Sequence, residues 1–111
     1  MSDKPSSIRN LGPASDAAYA RAGITTAAQV RELGADETYF RALEAGMKPH
    51  FIGYYVLVMG LQDRPWNDCK GREKAELKKR FNAIKRRLKG EGRSLAGLER
   101  ALNEIGVIDP S

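Results

Sequence analysis

Glycine and proline recur along this chain at intervals that leave room for short helices and little else. Gly12-Pro13, Gly23, Gly34, Gly46 and Gly60 stand eleven to fourteen residues apart. Between them lie pieces with helix starts and stops of their own. Ala14 to Ala22 is rich in alanine, with Ser15 and Asp16 suited to a first turn and Gly23 to an end. Thr26 is placed to cap Ala27 to Leu33, which Gly34 closes. Asp36 is placed to cap Glu37 to Ala45, where Tyr39, Phe40 and Leu43 mark an apolar face and Gly46 the stop.

The stretch from Pro49 to Gly60 is the one segment whose β-branched and aromatic residues would suit a strand. No other segment offers it a partner, and an unpaired strand would leave its backbone groups unsatisfied. It is therefore predicted to be a helix, starting on Pro49 and ending on Gly60, apolar on most sides and buried at the centre. Tyr54 and Tyr55 are expected at the core edge, their hydroxyls on water or backbone. Its apolar run, Phe51 to Met59, is about half of the roughly 20 residues that a bilayer span requires.

The segment Gln62 to Asp68 is a loop, and it leads into a basic helix that Asn67 or Asp68 is expected to cap. Leu77, Phe81, Ile84 and Leu88 recur every three or four residues and so form one stripe. Arg72, Lys79 and Arg86 fall opposite it, Lys78 and Lys85 along one edge, Arg80 and Arg87 along the other. Lys89 to Arg93 reads as a flexible joint. A last helix is expected from Ser94 to Gly106, with Leu95, Leu98, Leu102 and Ile105 on one face. The sum is an all-α bundle of five to six helices. Residues 1–7 are expected to be a disordered tail, 8–89 the domain, and 90–111 a linker with an additional helix.

With 111 residues, 41% hydrophobic and 30% charged, the chain supports one soluble core. The N-terminus lacks the apolar stretch of a secretory signal. A single cysteine, Cys69, has no internal partner and suits a reducing cytoplasm. One histidine and one cysteine are too few for a His/Cys zinc site. The net charge of +5 is unevenly spread: residues 70–93 carry eleven Lys/Arg against three Glu, while residues 1–69 sum to −1 and 94–111 to −2. So local a positive patch attracts polyanions.

The residues Ile8-Arg9-Asn10-Leu11-Gly12-Pro13, Ala22-Gly23-Ile24-Thr25-Thr26, Arg31-Glu32-Leu33-Gly34-Ala35 and Trp66-Asn67-Asp68 succeed one another in an order that resembles the C-terminal domain of the TfoX/Sxy competence-regulator family. The resemblance covers roughly residues 8–85. It implies a small all-α domain of the helix-hairpin-helix or SAM-like kind, linked to bacterial natural transformation and co-activation with the cyclic-AMP receptor protein. Family members carry an α/β domain ahead of this one. Only seven residues precede Ile8 here, so a stand-alone copy is expected, with the helix after residue 94 as an addition. A looser similarity, to the C-terminal domain of the bacterial RNA polymerase alpha subunit, would place Arg9, Asn10, Gly12 and Ser15 near phosphate.

Several sites can then be weighed. The helix start at Gly12-Pro13 could hold a phosphate on its amides, but Pro13 lacks one and Asp16 is negative, which favours an ordinary capped start. In the Gly23 corner threonine stands where a phosphate-binding hairpin has a second glycine, and Ile24 is expected to plug the core. Trp66 could stack or dock, and is expected instead to be a buried lid. Cys69 near a helix start could have a lowered thiol pKa, though no histidine is close in sequence; His50 is expected to be exposed or capping.

The basic helix is the strongest candidate, with Lys78, Lys79, Lys85, Arg86 and Lys89 as a non-specific DNA-binding band. No paired-carboxylate, Ser/His/Asp or nucleotide-binding motif occurs. The chain is expected to be a non-enzymatic, cytoplasmic regulatory domain without cofactor, membrane or small-molecule substrate, its partners DNA or a transcription-regulatory protein. The alternative is an interaction module, self-associating through 94–108.

Overall fold

The first helix, α1 (Pro13–Ala20), begins with proline at its first position and Gly12 as N-cap, where the missing N–H costs nothing. It ends where Gly23 takes a positive φ and Ile24 N–H returns to the Tyr19 carbonyl at 2.9 Å. Thr26 then opens α2 (Ala27–Glu44) with a reciprocal capping box. The Gln29 amide donates to Thr26 Oγ1 at 3.1 Å, and Gln29 Oε1 accepts from the Thr26 and Thr25 amides at 3.1 and 2.7 Å. This is the local chemistry that threonine with glutamine three residues later predicts. The structure is a computed structural model and describes residues 3–91.

The two helices expected on either side of Gly34 are present, joined across a kink at that glycine and together spanning α2. Gly34 sits at φ 85, ψ 168 inside α2, a conformation that a Cβ would strain. The second half of α2 leaves this kink in a new direction and buries Thr38, Tyr39, Phe40, Ala42 and Leu43. Asp36 is consequently not a cap. It stands just past the kink, where its carboxylate meets Arg80 and Tyr54.

α3 (Phe51–Leu61) occupies the centre, with Tyr54, Leu57 and Met59 fully buried. It starts two residues after Pro49, with His50 as N-cap making no side-chain cap bond. The Tyr39 hydroxyl does the capping: it donates to the His50 carbonyl and accepts from the His50 amide, both at 2.9 Å. Gly60 is the last residue but one of this helix, next to the end the sequence predicts, and it also provides proximity. A Cβ built there would fall 2.1 Å from the Arg9 carbonyl oxygen. The segment before α1 is thereby laid directly on α3.

α4 (Gly71–Glu91) crosses α2 and α3 with Leu77, Phe81 and Ile84 buried and Leu88 packed against them, the stripe that the sequence predicts. It continues through Lys89 and Gly90, where a flexible joint is expected. Neither Asn67 nor Asp68 caps it. Both belong to a 3₁₀ turn, Trp66–Asp68, and Asp68 accepts from Arg64 Nε at 2.9 Å.

Among the described residues there are therefore four α-helices, two 3₁₀ turns and no strand. The helix expected from Ser94, and any self-association through 94–108, lie outside the described residues. At the other end, Pro5–Ser7 form a 3₁₀ turn with Pro5 buried, where composition suggests a tail. The Asp3 carbonyl accepts from the Ala27 amide at 2.7 Å, and Ser6 N–H donates to Asp16 Oδ1 at 2.8 Å.

Among the described residues, one buried polar side-chain atom has no partner. Thr38 is fully buried and its Oγ1 makes no hydrogen bond among the described residues. A buried, unsatisfied hydroxyl costs about 1–3 kcal/mol, and valine fills the same volume without it. Thr38→Val is expected to stabilise the domain by about 1 kcal/mol, raising Tm by about 4–8 °C in a thermal melt followed by circular dichroism.

Candidate nucleic-acid interface

The cations of α4 have three different environments, and position on the helix decides which. Along the edge facing α2, Arg80 donates to Asp36 at 2.8 and 3.2 Å, and Arg87 donates to Glu37 at 2.9 Å while lying 3.7 Å from the centre of the Phe40 ring. These two arginines fasten α4 to α2. Burial raises the Asp36 pKa, but hydrogen bonds from Arg80 and Tyr54 and the charge of Arg80 outweigh it, and the net shift is downward. Glu37 is also held low, by hydrogen bonds from Arg41 and Arg87.

Along the opposite edge, lysines cover aromatic rings. Lys74 Nζ lies 5.2 Å from the Tyr55 ring centre, Lys78 Nζ 4.8 Å from Phe51, and Lys85 Nζ 4.8 Å from Phe81. The ammonium groups thus meet the ring faces directly, and the stems that reach them add apolar cover. The third group points away from the core. Arg72, Lys79, Arg86 and Lys89 are all exposed. Among the described residues Lys79 has one weak pairing, with Glu76 at 3.9 Å, and the other three make no ion pair. Steps of seven residues place Arg72, Lys79 and Arg86 about 10.5 Å apart on one line.

The turn before α1 is built differently from a phosphate cradle. Asn10 adopts φ 73, and its Nδ2 donates to the carbonyls of Val56 at 3.2 Å and Arg64 at 2.9 Å. Its donors are thus spent holding the turn on α3. Gly12 contributes its carbonyl, which accepts the amides of Ser15 at 2.9 Å and Asp16 at 3.2 Å. Pro13 has no amide, and the side-chain amide of Asn10 and the backbone amides of Ser15 and Asp16 are engaged internally. Arg9 alone stays exposed, 3.9 Å from Asp63 Oδ1 and donating to the Asp63 carbonyl at 3.4 Å. The structure carries Lys78, Lys79, Lys85, Arg86 and Lys89 on α4, and gives Asn10 and Gly12 hydrogen bonds that hold the turn before α1.

Three further positions are clarified. Ile24 is buried, as expected of a plug between α1 and α2. Cys69 is buried, and burial with the charge of Glu73 raises its thiol pKa, the reverse of what activation at a helix start would require. Trp66, expected as a lid, is 47% exposed. Its turn is braced instead by Arg64, whose guanidinium reaches Asp68, Gln62 and both Glu73 oxygens at 2.7–2.9 Å. Sequence reasoning missed this clamp; no periodicity marks an arginine whose acceptors stand two, four and nine residues away.

Among the described residues, no group of three His, Cys, Asp or Glu side chains could hold a metal, and no helix is long and apolar enough to cross a membrane. A groove of about 560 Å³ beside α2 is lined by Arg21, Glu37, Arg41 and Arg87, but Arg41 and Arg87 are turned onto Glu37.

Comparison with known proteins bears on what this arrangement belongs to. No curated protein and no solved structure matches the chain. A family model described as the TfoX C-terminal domain matches residues 1–81. The match takes in the Pro5 turn, the α1–α2 corner, α3, the Arg64 clamp and α4 as far as Phe81. On that match, covering most of its length, the chain belongs to the TfoX C-terminal domain family.

Proposed function

We propose that this domain is a non-enzymatic regulatory module of the bacterial cytoplasm, in transcription or competence control, which binds DNA weakly and without sequence preference through α4. We also place its fold in the helix-hairpin-helix or SAM-like class, on the strength of the short capped corner between α1 and α2. The observation that carries the DNA reading is the division of the α4 cations. Arg80 and Arg87 are used by α2; Lys78 and Lys85 hold their ammonium groups over the Phe51 and Phe81 rings without a carboxylate partner among the described residues, and Lys79, Arg86 and Lys89 are exposed, with Glu76 as the one carboxylate paired to them there. Side chains suited to reading base edges are scarce on the outward line, so phosphate contacts would dominate.

Labelled duplex DNA titrated at increasing salt tests this. Five phosphate contacts predict a log–log slope of roughly −4 to −5, and the double charge reversal Lys79→Glu, Arg86→Glu should flatten it by about 2 and weaken low-salt binding by roughly tenfold or more. Absence of binding by the parent chain at low salt, or unchanged binding by the variant, would falsify the reading. Both positions are exposed, so the variant's melting curve should match the parent's closely.

A further inference from the structure

The exposed tryptophan is not absorbed by a band of lysines on a duplex. Trp66 is 47% exposed, whereas Tyr19, Tyr39, Tyr54, Phe40 and Phe81 are all buried to within a few per cent. Leaving the largest apolar side chain of a small domain half in water forfeits burial that the core could have used. The turn that carries it is nevertheless firmly held. Arg64 binds Asp68 on the turn and Glu73 on the first turn of α4 together, so the indole is presented from a fixed base at the head of the basic helix. The surface next to it in the chain is cationic and open: Lys70 and Arg72 are exposed, and between them Gly71 has no atom within 4 Å of where a Cβ would stand.

We propose that Trp66 is a stacking platform for an unpaired base, so that α4 prefers single-stranded nucleic acid, with Lys70, Arg72, Lys79 and Arg86 tracking its phosphates. This rests on the proposed DNA binding through α4 and narrows its ligand. The chemistry is that of an indole face at the end of a positive track. Bases stack on exposed aromatic rings irrespective of sequence, while the phosphates supply a salt-dependent attraction. A duplex keeps its bases stacked on each other and offers the indole nothing comparable.

Trp66 is the sole tryptophan of the chain, so its own fluorescence reports the contact. Titration with an oligothymidylate at low salt is expected to quench the emission as binding saturates. Trp66→Ala should weaken oligothymidylate binding by about tenfold and leave duplex binding unchanged, while Trp66→Phe, which keeps a ring, restores part of the loss. Lys79→Glu with Arg86→Glu should weaken both ligands.

If oligothymidylate binds without quenching, or Trp66→Ala binds it as the parent does, the platform is refuted while the α4 band stands. If neither ligand binds the parent chain, both readings fall. Capture of the single strand with equal loss in both ligands on Trp66→Ala would also overturn the proposal, since it would mark a structural role; the melting curve of Trp66→Phe separates that case.

Discussion

Gly60→Ala is expected to destabilise the domain by about 3 kcal/mol, because one added methyl must share space with a backbone oxygen. A Cβ at this position would lie 2.1 Å from the Arg9 carbonyl oxygen, 3.3 Å from the Arg9 carbonyl carbon and 3.2 Å from Ile8 Cγ2. Forcing an extra methyl into a packed core costs typically about 1–3 kcal/mol, and a carbonyl held at both ends of its peptide cannot swing aside as a side-chain terminus can. Ile8 is buried on one side of Arg9, and on the other Asn10 is pinned to Val56 and Arg64. Relief would require lifting the whole 8–11 segment from α3.

For a domain of this size a loss of that magnitude lowers Tm by about 12–24 °C, readable in a thermal melt. Gly53→Ala is the internal control. It lies on the same helix, and its Cβ would meet Tyr39 at 3.8 Å, an ordinary contact. Alanine there should be tolerated, with up to about 1 kcal/mol gained from helix propensity. Equal melting temperatures for Gly60→Ala and the parent would show that the 8–11 segment does not rest on α3.

Asp36→Ala is expected to cost about 2 kcal/mol, since the change strips two donors of one acceptor. Tyr54 is fully buried, and its hydroxyl donates to Asp36. Once the carboxylate is gone that hydroxyl is left unsatisfied, at about 1–3 kcal/mol, and Arg80 loses the contact that draws α4 onto α2. Asp36→Asn keeps an oxygen for Tyr54 and should cost less.

The pH dependence distinguishes charge from shape. Asp36, Glu37 and Glu73 all have pKa values below the ordinary carboxylate range in the folded chain. A group more acidic when folded adds stability above its unfolded pKa of about 4, and that contribution disappears as pH falls through the folded value. Tm should accordingly be level above about pH 5 and fall below about pH 4. In Asp36→Ala and Asp36→Asn the acid-side fall should be shallower, while the plateau sits lower. A fall of undiminished steepness in both variants would show that the carboxylate carries no linked proton.

Gly60 and Asp36 also mark the boundary of what could be read from residues in order. The Thr26 cap, the stops near Gly23 and Gly46, and the Leu77–Phe81–Ile84–Leu88 stripe were legible because partner and cause stand three or four residues apart. The all-α class came from the absence of a second strand-like segment. Even the edge assignment on α4 was available from its period, with Arg80 and Arg87 on one side and Lys78 and Lys85 on the other.

Placement depended on contacts that no local pattern encodes. Arg80 and Arg87 meet carboxylates 44 and 50 residues away, and Asn10 meets carbonyls 46 and 54 residues away. Only the packing of α4 across the kinked α2 separates cations used for cohesion from cations left for a ligand. It likewise took the laying of the 8–11 segment on α3 to bring Asn10 within reach of the Val56 and Arg64 carbonyls. The chain's own sequence determined its helices, the Thr26 cap of α2, the charge concentrated on α4 and, through its ordered motifs, its family. The tertiary structure decided which of those charges remain available and that Trp66 stays half in solvent, because burial and pairing are properties of neighbours in space.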